Sequence, residues 1–265
     1  MCILLIAIDT VLDWPLLLLG NRDEFHPRPS LSAQPWRGAG DCLGGLDLVG
    51  GGSWLAQRND GRFAAVTNLR NGLPAQAPRS RGMLVRDFVT SNQPPEQFAQ
   101  RVLSDIGLYG GFNLVFGDRS SVWLIDGSTA TVQRLPAGVH VVSNGPYAGF
   151  WPKSERLRTQ FMRTVNAGWR DDASLLALLA DTRVADDAEL PDTGVGLERE
   201  RLLSPIFIRG EHYGTRASSL VMRHEDGTLH FRERSFAAHG TQSDEVTWVC
   251  PSFDSEWRLD DGAAD

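Results

Sequence analysis

Two short runs near the start of the chain, Ile3-Leu4-Leu5-Ile6-Ala7-Ile8 and Trp14-Pro15-Leu16-Leu17-Leu18-Leu19, are apolar at every position. A strand with one wet face alternates polar and apolar residues. A run apolar on both faces belongs to a strand with a packed layer on each side. Asp9 to Asp13 reads as the turn of a hairpin between the two runs. Each run is far shorter than the roughly twenty residues a spanning helix needs. The start has no basic n-region, Asp9 and Asp13 interrupt it, and no A-x-A site follows, so neither a signal peptide nor a membrane segment is expected. The expected location is cytoplasmic, with reduced thiols.

The rest of the chain alternates strand and helix patterns. The second apolar run ends in the polar cluster Gly20-Asn21-Arg22-Asp23-Glu24, at the mouth of a buried strand. Residues 26–52, rich in Pro and Gly, read as a loop. Strands are expected at 53–56 and 63–67 around the turn signal Asn59-Asp60-Gly61. Helices are expected at 81–90 and 95–106, the second opened by Pro94-Pro95 and closed by Gly107. Four strands follow at 112–117, 121–126, 130–135 and 139–143, then helices at 152–167 and 173–182. The acidic stretch 184–200 reads as an exposed loop. Strands are expected near 205–209, 215–223, 228–234 and 245–249, with a flexible acidic tail from about 257. With no repeat and no linker, residues 1–265 form one domain. Its 42% hydrophobic content suffices for a large core. Strand blocks interrupted by helix pairs predict an α+β layered architecture.

Charge and metal-ligating residues exclude several classes. The net charge of -7 disfavours a nucleic-acid binder. Cys2, Cys42 and Cys250 are too few and too scattered for a disulfide framework. The six histidines (His26, His140, His212, His224, His230, His239) are equally dispersed, so no metal site is expected.

Cys2 is the leading chemical candidate. Methionine aminopeptidase removes Met1 when the second residue is small, and the chain would then begin with a thiol and a free α-amine on one residue. That amine titrates near about 7.7–8.0 and can act as the base for its own side chain. A Cys in an apolar strand is also an ordinary small core residue. Counting back from the turn brings Arg22 and Asp23 close to Cys2 across the hairpin, where the Arg would favour the thiolate and the carboxylate would hold an ammonium. An exposed Arg–Asp ion pair is the plainer alternative. Asn68 and Asn144 each end a strand, where an amide can serve an oxyanion or simply form a turn. Arg216 opens a strand of small and apolar residues and calls for an anionic partner, in a site or in a structural salt bridge.

The Met1-Cys2 start, Asn21-Arg22-Asp23-Glu24, the segment 51–56 (Gly-Gly-Ser-Trp-Leu-Ala), the segment 60–68 ending in Asn68, Ser143-Asn144-Gly145 and Gly214-Thr215-Arg216 occur in order. Together they resemble the NRDE family, of the transport and Golgi organisation protein 2 type. The resemblance implies an N-terminal-nucleophile-hydrolase-like fold, a four-layer αββα sandwich of two antiparallel sheets. It also implies kinship with cysteine-type bile-salt and penicillin V acylases, whose catalytic set falls here on Cys2, Arg22, Asp23, Asn68, Asn144 and Arg216. Those acylases read Gly-Arg-Asn-x-Asp where this chain reads Gly20-Asn21-Arg22-Asp23. Adjacent residues of a strand point to opposite faces, so either a bulge intervenes or one of the pair misses the site.

Two functions are implied. One is hydrolysis of a non-peptide amide or thioester of acyl type. The other is carriage of haem, or of a lipid or acyl-coenzyme A, without chemistry. No cofactor is expected; haem would be cargo, with Cys2 and His26 as the available ligands. Asn21 and Glu24 would border the ligand, Arg22, Arg70 and Arg216 would meet an anion, and Trp54 and Trp151 would form an apolar wall.

Overall fold

A computed structural model describes residues 2–72 and 77–260. The first hairpin forms as expected: β1 (Cys2–Val11) pairs antiparallel with β2 (Trp14–Phe25), from Cys2 opposite Arg22 to Ile8 opposite Leu16. It turns through Asp13, which has a positive φ of 64°. Ile3 to Ile8 and Leu16 to Leu19 are all buried, as strands apolar on both faces must be.

The expected loop 26–52 is instead largely a hairpin, β3 (Ser30–Trp36) and β4 (Ala39–Asp47). Its Pro and Gly residues, read as breakers, have positional reasons. Pro35 lies on the edge strand of its sheet at a break in register, where a missing N–H costs no ladder bond. Gly45 leaves room for the Trp54 ring, which a Cβ would meet at 2.0 Å. The remaining strands are β5 (Leu55–Arg58), β6 (Phe63–Asn68), β7 (Phe112–Gly117), β8 (Val122–Asp126), β9 (Thr131–Leu135), β10 (Gly138–Val142), β11 (Tyr213–Arg223), β12 (Leu229–Phe236), β13 (Gln242–Cys250) and β14 (Arg258–Leu259). The helices are α1 (Gly82–Val89), α2 (Pro95–Ser104), α3 (Pro152–Asn166), α4 (Asp172–Leu178) and α5 (Leu197–Leu202).

Three other expectations are corrected. Residues 205–208 are buried and Arg209 is exposed, but 205–209 form no strand, because their backbone bonds go to loop and side-chain partners such as Asp181 O and Thr215 Oγ1. The stretch 184–200 is not wholly exposed: Glu200 on α5 is buried. The tail does not detach at 257, since Trp257 is buried and β14 pairs with β13. Residues 261–265 lie outside the described residues.

Among the described residues the strands form two seven-stranded antiparallel sheets, ordered β10-β1-β2-β11-β12-β13-β14 and β3-β4-β5-β6-β7-β8-β9. One apolar cluster lies between them, with Leu4, Ile6, Leu16 and Leu18 from the first sheet against Leu43, Phe63 and Leu124 from the second. A second packs α1 and α2 on the outer face of the second sheet through Phe88 and Phe98. A third packs α3 and α4 on the outer face of the first sheet, against Ile3, Leu5, Leu17 and Leu19. The protein is therefore a four-layer α+β sandwich. Among the described residues no helix is long and apolar enough to cross a membrane.

Glu233 on β12 links the sheets inside the central core. Its carboxyl accepts from Ala33 N on β3 and from Ser219 Oγ on β11, each at 2.8 Å. Burial pushes its pKa up to about 7. The folded state thus holds this proton more tightly than the unfolded chain does, and the associated stability fades as pH rises from about 4.5 toward 7. Glu233→Gln keeps the contacts, with the Ser219 hydroxyl turning to accept, and should abolish that part of the decline. Urea midpoints at pH 5 and pH 8 test this; equal pH dependence in both proteins would show that Glu233 is already ionised in the fold.

Candidate functional site

The site follows from strand alternation at the open end of the β1–β2 pair. Even-numbered residues of β1 and β2 face the second sheet and odd-numbered ones face the helices, as the two apolar clusters show. Cys2, half-buried and unbonded to any other cysteine, therefore shares a face with Arg22, its directly opposite partner. The Arg22 guanidinium lies over the Trp54 ring, 4.5 Å from its centre, and Nη2 donates to Asp47 Oδ2 at 3.2 Å. Arg22 Nη1 is buried with no hydrogen-bond partner among the described residues. The crevice lined by Cys2, Arg22, Trp54, Thr67 and Ser219 encloses about 20 Å³, room for about one water or one carbonyl group.

Asp23 takes the opposite face. No bulge interrupts β2 here, so the neighbours Arg22 and Asp23 diverge. The irregularity lies instead in β11, where Arg216 is the extra residue between Thr215, opposite Asp23, and Ala217, opposite Arg22. Asp23 Oδ1 accepts from Thr215 Oγ1 at 2.7 Å. Burial raises its pKa, against the opposing influence of Lys153, the Thr215 hydrogen bond and Arg22.

Asn144 is fully buried just past β10, in a segment tied to both sheets. Ser143 O accepts from Thr67 Oγ1 at 2.7 Å, and Gly145 O accepts from Asn113 Nδ2 at 2.8 Å. Ser143 Oγ donates to Cys2 O at 3.4 Å. Asn144 Nδ2 donates to Asn68 O at 2.9 Å, so the two asparagines meet at the junction of the sheets. Lys153, the second residue of α3, donates from Nζ to Asn144 Oδ1 at 3.1 Å and to Leu203 O at 3.4 Å.

The structure assigns several expected ligand contacts to the fold itself. Arg216 Nη1 binds the carbonyls of Phe25, His26 and Arg28 at 2.8–3.2 Å, bracing the chain beyond β2 rather than pairing with an anion. Asn21 Nδ2 binds Leu179 O and Ile206 O at 2.9 and 2.8 Å, and its Oδ1 accepts from Ser218, so its amide anchors the helical layer. Arg70 pairs with Glu200 at 2.7 Å and lies over the Trp151 ring, leaving neither as an open wall. Glu24 stays at the rim, 3.9 Å from Arg22 and 3.7 Å from Arg28. The His26 ring meets Gly210 O at 3.1 Å through Nε2. Met1 lies outside the described residues.

Sequence reasoning missed Asp47, Lys153 and Arg81. Asp47 was hidden in a presumed loop, although Arg22 and Arg28 both bind it. Burial lowers the pKa of Arg81, at the start of α1, against the opposing charges of Cys2 and Glu24. Lys153 follows Trp151-Pro152, a helix-start signal, and nothing in that pattern distinguishes a buried lysine from a solvated one. Because Asn21 satisfies two buried carbonyls, Asn21→Leu should lower stability by about 2–4 kcal/mol. Urea unfolding measures it, and a loss below about 1 kcal/mol would mean that other donors replace the amide.

The model of the family described as Transport and Golgi organisation 2 matches residues 1–238. The chain is 32% identical over 265 residues to the transport and Golgi organization protein 2 homolog of Bos taurus, covering 92% of each chain. It is also 32% identical over 238 residues to the Homo sapiens homolog, covering 83% of this chain and 86% of that one. Among solved structures, the Caenorhabditis elegans N-acylethanolamine-hydrolyzing acid amidase ortholog is similar, with a TM-score of 0.48 and 12% identity over 83% of this chain and 92% of that chain. A match over most of the chain, together with these relatives, places the protein in the Transport and Golgi organisation 2 family.

Proposed function

We propose that the protein is an N-terminal cysteine hydrolase acting on a non-peptide amide or thioester of acyl type. The observation that supports this most is the Cys2–Arg22 pair, directly opposite each other and lining one crevice, with a guanidinium N–H of Arg22 that is buried and, among the described residues, uncommitted. Buried donors are ordinarily satisfied, and one left open next to a nucleophile suits a substrate oxygen. The crevice holds little more than a carbonyl, so the rest of an acyl group would lie outside it or displace the Arg22–Trp54 stack.

In this reading Met1 is removed and the Cys2 amine takes the thiol proton. The sulfur attacks the acyl carbon, forming a C–S bond while the C–N or C–S bond to the leaving group breaks. The proton passes from the amine to the departing amine or thiol. Water then hydrolyses the Cys2 thioester, releasing a carboxylic acid and restoring the thiol. Arg22 Nη1 steadies the acyl oxygen, and Asn68 or Asn144 assists. Asp23 and Arg216 act through charge balance and through the shape of the β2 end.

Intact mass and peptide mapping of the purified protein give the first test, with Cys2 expected as residue one. Cys2→Ser should then cut turnover of an acyl amide or thioester by at least about a thousand-fold without altering the fold. Wild-type protein quenched during turnover should carry the acyl group on Cys2. Full turnover by Cys2→Ser, or by material retaining Met1, would refute the mechanism. Saturable binding of an acyl-coenzyme A or haem without chemical change would make the protein a carrier.

A further inference from the structure

Lys153 is 1% exposed, an extreme position for an ammonium group. Burial brings its pKa down to about 8, with Arg70 and Arg156 acting in the same direction and Asp23 and Cys2 against it. These are the charges that face it, from β1, β2, the segment after β6, and its own helix. Carbonyl contact with Leu203 alone would not require a lysine. The second contact, to Asn144 Oδ1, carries information, because an asparagine amide has two chemically opposite ends.

The Asn144 amide sits between Lys153 Nζ at its oxygen and Asn68 O at its nitrogen, and its oxygen lies 3.4 Å from Ser143 Oγ, competing with Cys2 O for the single hydroxyl proton. A half-turn of the amide would set NH2 against the ammonium and oxygen against the Asn68 carbonyl, two repulsive contacts. The segment carrying Asn144 is itself hydrogen-bonded to Cys2 through Ser143.

We propose that Lys153 is a positioning residue for acyl transfer: by holding Asn144 Oδ1 it makes Nδ2 the fixed donor end of the amide. The second N–H of that amide, the one not bound to Asn68 O, then has its orientation fixed before substrate arrives, which is how preorganised sites avoid reorientation during reaction. The assignment rests on the hydrolase reading for its catalytic consequence and on the hydrogen bonds alone for its structural one.

The test compares Lys153→Met, which removes both charge and donor, with Lys153→Gln, whose amide can still donate to Asn144. With p-nitrophenyl butyrate as probe, kcat should fall about ten- to a hundred-fold in Lys153→Met with KM within about two-fold, and Lys153→Gln should recover to within about five-fold of wild type. Side-chain amide exchange of Asn144, followed by 15N NMR, should be protected in wild type and Lys153→Gln, and at least about ten-fold faster in Lys153→Met. Unchanged kcat in Lys153→Met, or equal losses in both variants, would overturn the proposal. Unprotected Asn144 signals in wild type would overturn it even if Lys153→Met fails to fold. A wild type that turns over neither this ester nor an acyl amide or thioester refutes the hydrolase reading instead, and the exchange data still decide what Lys153 holds.

Discussion

The pairing of β1 with β2 governs the rest of the molecule. Both strands are buried on both faces, so a slip of one residue would exchange every side chain between the central core and the helical layer. That register puts Leu4, Ile6, Leu16 and Leu18 against the second sheet and Ile3, Leu5, Leu17 and Leu19 against α3 and α4. It carries straight on to the open end of the hairpin, where the same alternation sorts polar residues. Cys2 and Arg22 go to the inter-sheet side, and Asn21 and Asp23 go to the helical side. The apolar packing that holds the core in register thereby positions the candidate nucleophile.

Around this end the protein concentrates buried charge. Arg22 shares Asp47 with Arg28, Arg70 is matched by Glu200, and Lys153 lies among Asn144, Leu203 and the field of Asp23. Such groups are costly to desolvate, and a buried ion pair commonly does no better for stability than apolar residues of the same volume. Glu233, Arg62 and Arg223 are buried elsewhere, but the gathering of several such groups at this end of the strands suits a site requiring fixed dipoles and charges. The asparagines join in through the backbone as much as through their side chains: Asn68 contributes its carbonyl to Asn144, and Asn144 contributes its own carbonyl to Arg70 N.

Much of this was legible in the residues. The hairpin and its register could be counted from the turn, and most later strands and helices follow from periodicity and from Gly and Pro punctuation. The hairpin of β3 and β4 was not legible, because Pro35, Gly44 and Gly45 carry the composition of a loop while meeting the needs of an edge strand and of a Trp54 ring packed against backbone. The segment 205–209 erred in the other direction. Its apolar residues are buried as a strand's would be, but its backbone finds partners singly rather than along a neighbouring strand.

The sequence by itself determined that two strands must be buried on both faces and that Arg22 and Asp23 come close to Cys2 across them, because both results depend on local period and turn position; which of the two shares its face was settled by the register. Tertiary structure decided which of the polar residues at that end remain available. Arg216, Asn21 and Arg70 carry the same charges and amides whether they face a ligand or a carbonyl of the fold, and only the chain segments brought beside them settle which. Lys153 shows the converse: a lysine at a helix start reads as solvated until α3 is seen to press it against Asn144. Asn21, Arg70 and Arg216 meet partners more than a hundred residues away, and Lys153 meets Asn144 across an irregular turn, so none of these contacts follows a local period.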